Sequence, residues 1–292
     1  MTLQVTITQG LTFGSVYALS ALGFAILYNT TGVFHIAYGA FAILGFMIAV
    51  TLNTSESAVP LIGSVLVGIA AVFVVTIVTF GFYNLLARRG LDRLGIFVVS
   101  LGIAIGTQAL MQLAFGPAIR TFNIPSLARV HSVAGFPFSA LAWIAIGSAV
   151  VIFALVTGAL RRTRWGYRVR GIASNPELAQ LVGTRTGLTM TGVYAVAAIC
   201  SVWAAVLLGM LTTQTSADGT NVMLLAAIAT IAAGRGTYAG GFLVALALGF
   251  VQPAFSFYIS ETWAPSAVFG IALVLLLIRP AGLSRAGAEA QR

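Results

Sequence analysis

Nine long apolar stretches divide this chain, and they limit its possible folds more than any other feature. They cover residues 8–28, 33–52, 59–86, 94–115, 138–160, 188–211, 221–234, 239–258 and 264–278. A helix that crosses a bilayer needs about 20 apolar residues, whereas a strand of a membrane barrel needs about 10 residues of alternating polarity. These stretches are mostly longer than barrel strands and do not alternate. The sequence therefore predicts an all-α polytopic membrane protein with about eight to nine transmembrane helices.

Composition excludes several other classes of protein. Of the 292 residues 59% are hydrophobic and only 7% are charged, whereas a soluble domain carries about 25% charged residues. A soluble globular protein, a disordered chain and a nucleic-acid-binding surface are therefore excluded. Little of the chain is left for a second domain, so we expect a single transmembrane domain over residues 1–292.

The scarce polar residues also limit the chemistry. The chain has no Lys and no G-x-x-x-x-G-K-[ST] motif, which excludes a P-loop ATPase. It has two His, one Cys and neither H-E-x-x-H nor G-x-S-x-G, so we expect no enzymatic activity, metal site or cofactor. An ion-coupled secondary transporter remains an alternative, although all six acidic residues are predicted to lie in loops, which argues against it.

The arginines predict the orientation, because cytoplasmic loops of membrane proteins collect basic residues. Nine alternating spans place most of them on one face, which we take as cytoplasmic, and leave only Arg120 and Arg129 on the other. The N-terminus is then outside and the C-terminus is inside. No basic residue precedes the first stretch, which is therefore predicted to be a permanent span and not a signal peptide. The short stretch 221–234 is interpreted as a short or tilted span, since a re-entrant segment would reverse the C-terminal arginines.

The longest predicted cytoplasmic loop, 161–187, contains a local helix signal. Asn175 or Ser174 can cap a helix, Pro176 suits its first position, and Glu177 favours the positive end of the helix dipole. The helix should continue to about Gly183. Such a helix fits either docking into a groove on a cytoplasmic partner or lying on anionic lipid headgroups, and the residues alone do not decide between the two.

The segment Glu177–Gly183, ELAQLVG, resembles the E-A-A-x-x-x-G coupling motif of ABC importer permeases, with Leu178 in place of the middle Ala. Four stretches in order, 10–45, 166–210, 234–249 and 279–283, are similar to the permeases of branched-chain amino-acid ABC importers. The resemblance implies an all-helical fold similar to the cobalamin and ribose permeases. The residues implied to couple the permease to its ATPase are Asn175, Pro176, Glu177, Ala179 and Gly183.

The same resemblance implies a location, partners and a cargo. The chain would lie in the inner membrane with a second permease subunit, two cytoplasmic ATPase subunits and an extracytoplasmic solute-binding protein. Branched-chain amino acids are the default solute, while urea, short amides and aromatic acids remain open. Transport would proceed by alternating access.

Family members often read N-F-A-H-G-E or N-F-A-H-G-D where this chain has HIAYGA at residues 35–40. If this segment lines the path of the solute, the change alters the solute's surroundings. His35 and Tyr38 are therefore predicted path residues that could pair across one helical turn, with a structural hydrogen bond as the alternative for His35. Gln108 and Gln112 share one face of the fourth span. Their side chains either form hydrogen bonds between helices or contact the solute.

Overall fold

The computed structural model describes residues 2–53, 60–122, 124, 127, 129–133, 136–234, 237–260 and 263–278. Within these ranges the chain forms twelve helices and one hairpin of two short strands. In chain order they are α1 (Thr2–Thr31), α2 (Ala37–Leu52), α3 (Leu61–Arg88), α4 (Arg93–Phe115), β1 (Val130–Val133), β2 (Phe136–Ser139), α5 (Ala140–Arg162), α6 (Arg164–Ser174), α7 (Pro176–Leu181), α8 (Thr186–Leu211), α9 (Gly219–Ala233), α10 (Tyr238–Leu248), α11 (Val251–Tyr258) and α12 (Ala264–Ile278).

Each of the nine apolar stretches contains at least one helix. Six segments in the described part of the chain are long and apolar enough to cross a membrane: Leu3–Thr31, Leu61–Arg88, Leu94–Phe115, Ala140–Arg162, Thr186–Leu211 and Tyr238–Tyr258. The other three helices, α2, α9 and α12, have 16, 15 and 15 residues. The predicted all-α polytopic membrane protein is confirmed.

Two connections differ from what the sequence predicts. The connection at 116–137, expected to be a loop because of its prolines, contains the β1–β2 hairpin, in which Ser132 pairs with Pro137. Proline is tolerated there because both strands of a two-stranded sheet are edge strands. The stretch 239–258 is helical on both sides of a break at Gly249 and Phe250, between α10 and α11. Gly249 allows this break to lie directly against the backbone of Gly14 on α1.

The helices define two opposite ends of the molecule. At one end, named here the α7 end, the last turns of α1 and α3 and the start of α8 surround α7. At the other, named here the hairpin end, Arg120 forms a backbone bridge with Gln214 just beyond the end of α8. Arg88 lies at the α7 end, and so do Arg161 and Arg170. The predicted segregation of these arginines from Arg120 is therefore present, whereas Arg235, Arg279, Arg285 and Arg292 lie outside the described residues.

Two sets of helices, α1–α4 and α8–α12, repeat one arrangement in opposite directions. Helix α1 runs toward the α7 end and contacts α9 and α10, while the antiparallel α8 contacts α2 and α3. Helix α2 packs on α3 and α4, as α9 packs on α10 and α12. This is the arrangement of an inverted repeat, in which transporters commonly place their sites at the contact between the halves.

The two short helices α2 and α9 meet at their N-termini inside the protein. Gly39 in the first turn of α2 lies against the carbonyl of Gly219, the first residue of α9. Tyr38, beside this contact, reaches Ser20 near the middle of α1. From this meeting point α2 runs to the hairpin end and α9 runs to the α7 end. Each is preceded by an irregular segment, 32–36 before α2 and 212–218 before α9.

Candidate functional site

Helix α7 is a single capped segment at one end of the molecule. The Asn175 side chain accepts hydrogen bonds of 3.0 Å from the backbone N–H groups of Glu177 and Leu178, and Pro176 opens the helix. Of the two predicted caps, the structure has Asn175. At the other end Gly183 has φ +81° and donates its N–H to Gln180, while Thr184 donates to Ala179. These two bonds form a Schellman motif, which needs a residue such as glycine at the left-handed position.

The two small residues of the predicted coupling motif have different roles. Ala179 is buried in the core cluster, on the inner side of α7. A Cβ atom added at Gly183 would meet open space, so no neighbouring atom requires a glycine there. The positive φ of this residue accounts for the glycine. The outer side of α7 is apolar and exposed: Leu178, Leu181 and Val182 are 58%, 82% and 81% accessible. Exposed aliphatic side chains grouped on and just after one short helix are typical of a surface that a partner protein or lipid covers.

The preceding helix α6 fastens α7 to the membrane-spanning helices. The Thr163 hydroxyl caps α6 by accepting from the backbone N–H of Gly166 at 3.1 Å. The Trp165 indole N–H donates to the carbonyl of Thr189 on α8 at 3.2 Å, and the indole lies against Gly192. Helix α6, which leads directly into α7, is therefore packed against α8.

A cavity of about 970 Å³, named here the α7-end cavity, opens beside α7 and reaches into the helices. Its mouth includes Pro176, Glu177 and Gln180, and its deep end includes Thr76, Tyr83 and His35. The coupling-motif residue Glu177 and the predicted path residue His35 thus line one continuous space. From the sequence alone, Glu177 and His35 belong to two unrelated predictions.

His35 is buried at the deep end of this cavity and bonds to a residue that the sequence did not single out. Its Nδ1 lies 3.0 Å from the Tyr83 hydroxyl on α3, and its ring meets the edge of Phe41. Tyr38 bonds elsewhere: its hydroxyl donates to the carbonyl of Ser20 at 2.8 Å. The two residues border one void of about 10 Å³ but do not form the hydrogen bond that their spacing suggested.

On the other side of Tyr38 lies a second cavity, of about 220 Å³, which we name the hairpin-end cavity. Ser20 lines it, and Asp218 and Gln214 line it from the segment 212–218. The α7-end cavity, the small void and the hairpin-end cavity follow one another along the molecule, and Tyr38 with Ser20 separates the last two. This arrangement suits a path closed near its middle.

Gln108 and Gln112 lie apart from these spaces. Both are on α4, where Gln108 is half-buried and Gln112 is exposed. Neither lines the α7-end cavity, the void or the hairpin-end cavity. Their solute contact stays a prediction, and the surface they occupy belongs to one of the most exposed apolar helices of the chain.

Comparisons with known proteins agree with this architecture. A family model described as branched-chain amino acid transport system, permease component, matches residues 6–277. The chain is a polytopic membrane transport subunit, and it belongs to this permease family. The family is not enzymatic, and its members work with other components of their transport systems.

Curated relatives match along almost their whole length. The high-affinity branched-chain amino acid transport system permease protein BraD of Pseudomonas aeruginosa is 27% identical, covering 95% of this chain and 94% of its own. The permease protein LivH of Escherichia coli K12 is 25% identical, covering 94% and 93%. A probable permease protein LivH of Methanocaldococcus jannaschii is 22% identical, covering 93% and 89%. No solved structure matched, so the expected likeness to cobalamin and ribose permeases stays a prediction.

Proposed function

We propose that this chain is the membrane-spanning subunit of an ATP-driven ABC importer. It moves branched-chain amino acids or a related small amphipathic solute into the cytoplasm by alternating access. It acts in the inner membrane with a second permease subunit, two cytoplasmic ATPase subunits and an extracytoplasmic solute-binding protein. The α7 end faces the cytoplasm, and the N-terminus lies outside.

The observation that carries this proposal is the placement of α7 at the mouth of the α7-end cavity. Its outer side presents Leu178, Leu181 and Val182 to a partner, and its inner side is fastened to α8 through α6. A partner that moves α7 therefore acts directly on the helices around the cavity. ATP binding can then shift the populations of two states that differ in which end of the path is open.

Several features support the other parts of the proposal. Arg88, Arg161 and Arg170 lie at the α7 end, as the preference of arginine for cytoplasmic loops requires. His35 and Tyr38 border the same void between the two cavities, which supports their role in the path. The curated relatives named above carry branched-chain amino acid transport in their names, and this favours the same solute class here.

The test is a coupling measurement on the complete complex in proteoliposomes. The change Gly183→Leu forces a side chain into the left-handed conformation that ends α7. The change Gly171→Leu adds the same side chain to α6, where there is also open space but no positive φ. We expect Gly183→Leu, alone or with Glu177→Ala, to lower solute uptake per ATP hydrolysed, and we expect Gly171→Leu to leave this ratio unchanged.

If the Gly183→Leu, Glu177→Ala complex assembles and transports at the full rate, the assignment of α7 to coupling is wrong. If the unchanged chain alone carries solute in ATP-free proteoliposomes against a gradient of that solute, the chain is a secondary transporter and not an ABC subunit.

A further inference from the structure

A further cavity, of about 470 Å³, lies at the α7 end between α5 and α10, and we name it the α5–α10 groove. Helices α5 and α10 make little direct contact with each other, although both pack against α1. The rings of Phe153 and Phe242, with centroids 4.3 Å apart, bridge the two helices further along. The groove is therefore a recess between two membrane-spanning segments, at the end of Ala140–Arg162 and the start of Tyr238–Tyr258.

Two arginines line the groove from neighbouring helices, Arg161 in the last turn of α5 and Arg170 on α6. Both are exposed, so their guanidinium groups can reach a ligand. Arg170 lies 4.7 Å from the centroid of the Tyr167 ring, a contact that leaves its charge in place. None of the acidic residues that the structure describes lines the groove; they are Asp92, Glu177 and Asp218. The groove therefore favours an anionic group.

The start of α10 adds a second positive feature. Four residues around this start line the groove: Thr237, Tyr238, Ala239 and Gly240. The first N–H groups of a helix have no acceptor within it, and with the helix dipole they favour an anion. The Thr237 hydroxyl makes no capping hydrogen bond to them, because it donates to the carbonyls of Ala233 and Gly234. The first turn of α10 therefore has no side-chain cap.

The part of the groove that runs along the spanning helices is apolar. Leu160 and Val244 are buried in its wall, and Leu243 beside them is 61% exposed. Leu243 lies about one turn further into the spanning segment than Gly240. Free phosphate would contact only the arginines and the start of α10. The continuation by aliphatic side chains fits a ligand with an anionic head and an apolar body.

We propose that the α5–α10 groove binds an anionic phospholipid. Its phosphate lies at Arg161, Arg170 and the start of α10, and an acyl chain runs along Leu243. Basic recesses between membrane-spanning helices are suited to anionic headgroups. The bound lipid joins α5, α6 and α10, and it helps to hold α6, which leads directly into α7. This inference requires a membrane location but neither the solute nor ATP-driven import, so it holds or fails independently of the proposed function.

The experiment measures lipid binding by the chain purified with its partner subunits in an uncharged detergent. The probes are dioleoylphosphatidylglycerol, dioleoylphosphatidylcholine and inorganic phosphate, and the readout is the melting temperature as a function of probe concentration. We expect phosphatidylglycerol to stabilise the complex, because it combines a net negative headgroup with acyl chains. We expect a much smaller effect from phosphatidylcholine, which has the same acyl chains, and from inorganic phosphate, which has none.

Two matched pairs of variants separate the groove from a general attraction between basic residues and anionic lipid. Arg161→Gln and Arg170→Gln each remove a charge from the groove, whereas Arg162→Gln and Arg168→Gln remove one from the same helices outside it. All four side chains are exposed. We expect each groove variant to weaken the apparent affinity for phosphatidylglycerol by about fivefold or more, the effect of one arginine near an anionic headgroup. We expect the two controls to keep the affinity of the unchanged complex.

A third pair tests the shape of the groove without changing its charge. Thr157→Phe places a ring in the groove from α5, and Val151→Phe places the same ring on the exposed surface of that helix. We expect only Thr157→Phe to weaken the binding of phosphatidylglycerol. If Thr157→Phe does not fold, the exposed arginine pairs still decide the question.

Equal losses of affinity in all four arginine variants would show a general attraction and overturn the site. Equal stabilisation by phosphatidylcholine would show that the headgroup is not recognised, and equal stabilisation by inorganic phosphate would show a site for a free anion and not for a lipid. An unchanged affinity in both Arg161→Gln and Arg170→Gln would also overturn the proposal, and it is the result expected if a partner subunit covers the groove.

Discussion

The hydroxyl of Tyr38 on α2 donates a 2.8 Å hydrogen bond to the backbone carbonyl of Ser20 on α1, between the void beside His35 and the hairpin-end cavity. The Tyr38 ring also packs edge-on against Phe24 on α1, with ring centroids 5.5 Å apart. Tyr38 thus lies between the void and the hairpin-end cavity, and we propose that it closes a path between them. A closure of this kind can be released by a small movement of α2 relative to α1.

Tyr38→Phe keeps the ring contact and removes the hydrogen bond across the closure. A hydrogen bond of this kind contributes about 0.5–1.5 kcal/mol, so the closed arrangement should be weakened and not lost. We expect faster passive entry of the solute into ATP-free proteoliposomes that contain the complex. The exposed Tyr167 on α6 provides the control, since Tyr167→Phe changes a hydroxyl far from the path. Equal passive entry in the two variants would show that Tyr38 does not close the path.

His35→Ala tests the deep end of the α7-end cavity. The change removes the partner of the Tyr83 hydroxyl, so we expect a lower melting temperature of the solubilised complex and altered uptake kinetics at equal expression. Tyr83→Phe removes the same bond but keeps the imidazole in the path. If both variants lose stability but neither changes the rate or the solute range, His35 has only a structural role.

The contact between Gly39 and Gly219 holds the two short helices together. A methyl group at Gly39 would overlap the backbone carbonyl of Gly219, and backbone cannot move aside as a flexible side chain can. We expect Gly39→Ala to destabilise the protein by about 1–3 kcal/mol, the usual range for overpacking. Gly81→Ala on α3 has open space and should be neutral or stabilising. Melting temperatures of the two solubilised variants decide the matter, and equal values would contradict the close contact.

The positions of the spans could be predicted because the length of an apolar run is a local property of the sequence. The start of α7 could be predicted for a similar reason, since Asn175, Pro176 and Glu177 act on the first turn of the helix that they begin. The partners of His35 and Tyr38 could not be predicted this way. Tyr83 is 48 residues from His35 and Ser20 is 18 residues from Tyr38, so these bonds depend on how the helices pack.

The hairpin-end cavity could not be predicted from the sequence patterns either. Asp218 and Gln214 lie in a connection, as expected, but the connection enters the protein between α8 and α9 because α9 begins deep inside. The only local signal was the shortness of the stretch 221–234. That shortness predicts a short span, and it gives no sign that the polar segment before α9 forms a cavity wall.

Asn175→Ala tests the cap of α7 without changing the apolar surface that the helix presents. Loss of an asparagine cap costs about 0.5–2 kcal/mol, and a helix of six residues has few other bonds to preserve it. We expect less uptake per ATP hydrolysed in Asn175→Ala, whereas Asn175→Asp should retain the cap and the coupling. A coupling ratio in Asn175→Ala equal to that of Asn175→Asp would show that the order of α7 is not needed.

The central claim is that α7 meets the ATPase on the cytoplasmic side, and thiol labelling tests it most directly. Cys200 is the only cysteine of the chain and is buried, so a Cys200→Ala background allows single cysteines at Leu181 on α7 and at Val130 on the hairpin. Both positions are exposed in this chain.

The measurement is the labelling rate with a membrane-impermeant maleimide in vesicles of each orientation, with and without the ATPase subunits. We predict that Leu181→Cys is labelled only from the cytoplasmic side and is protected by the ATPase subunits, while Val130→Cys is labelled from the other side and is unaffected by them. Labelling of Leu181→Cys that is equally fast with and without the ATPase subunits would contradict the account.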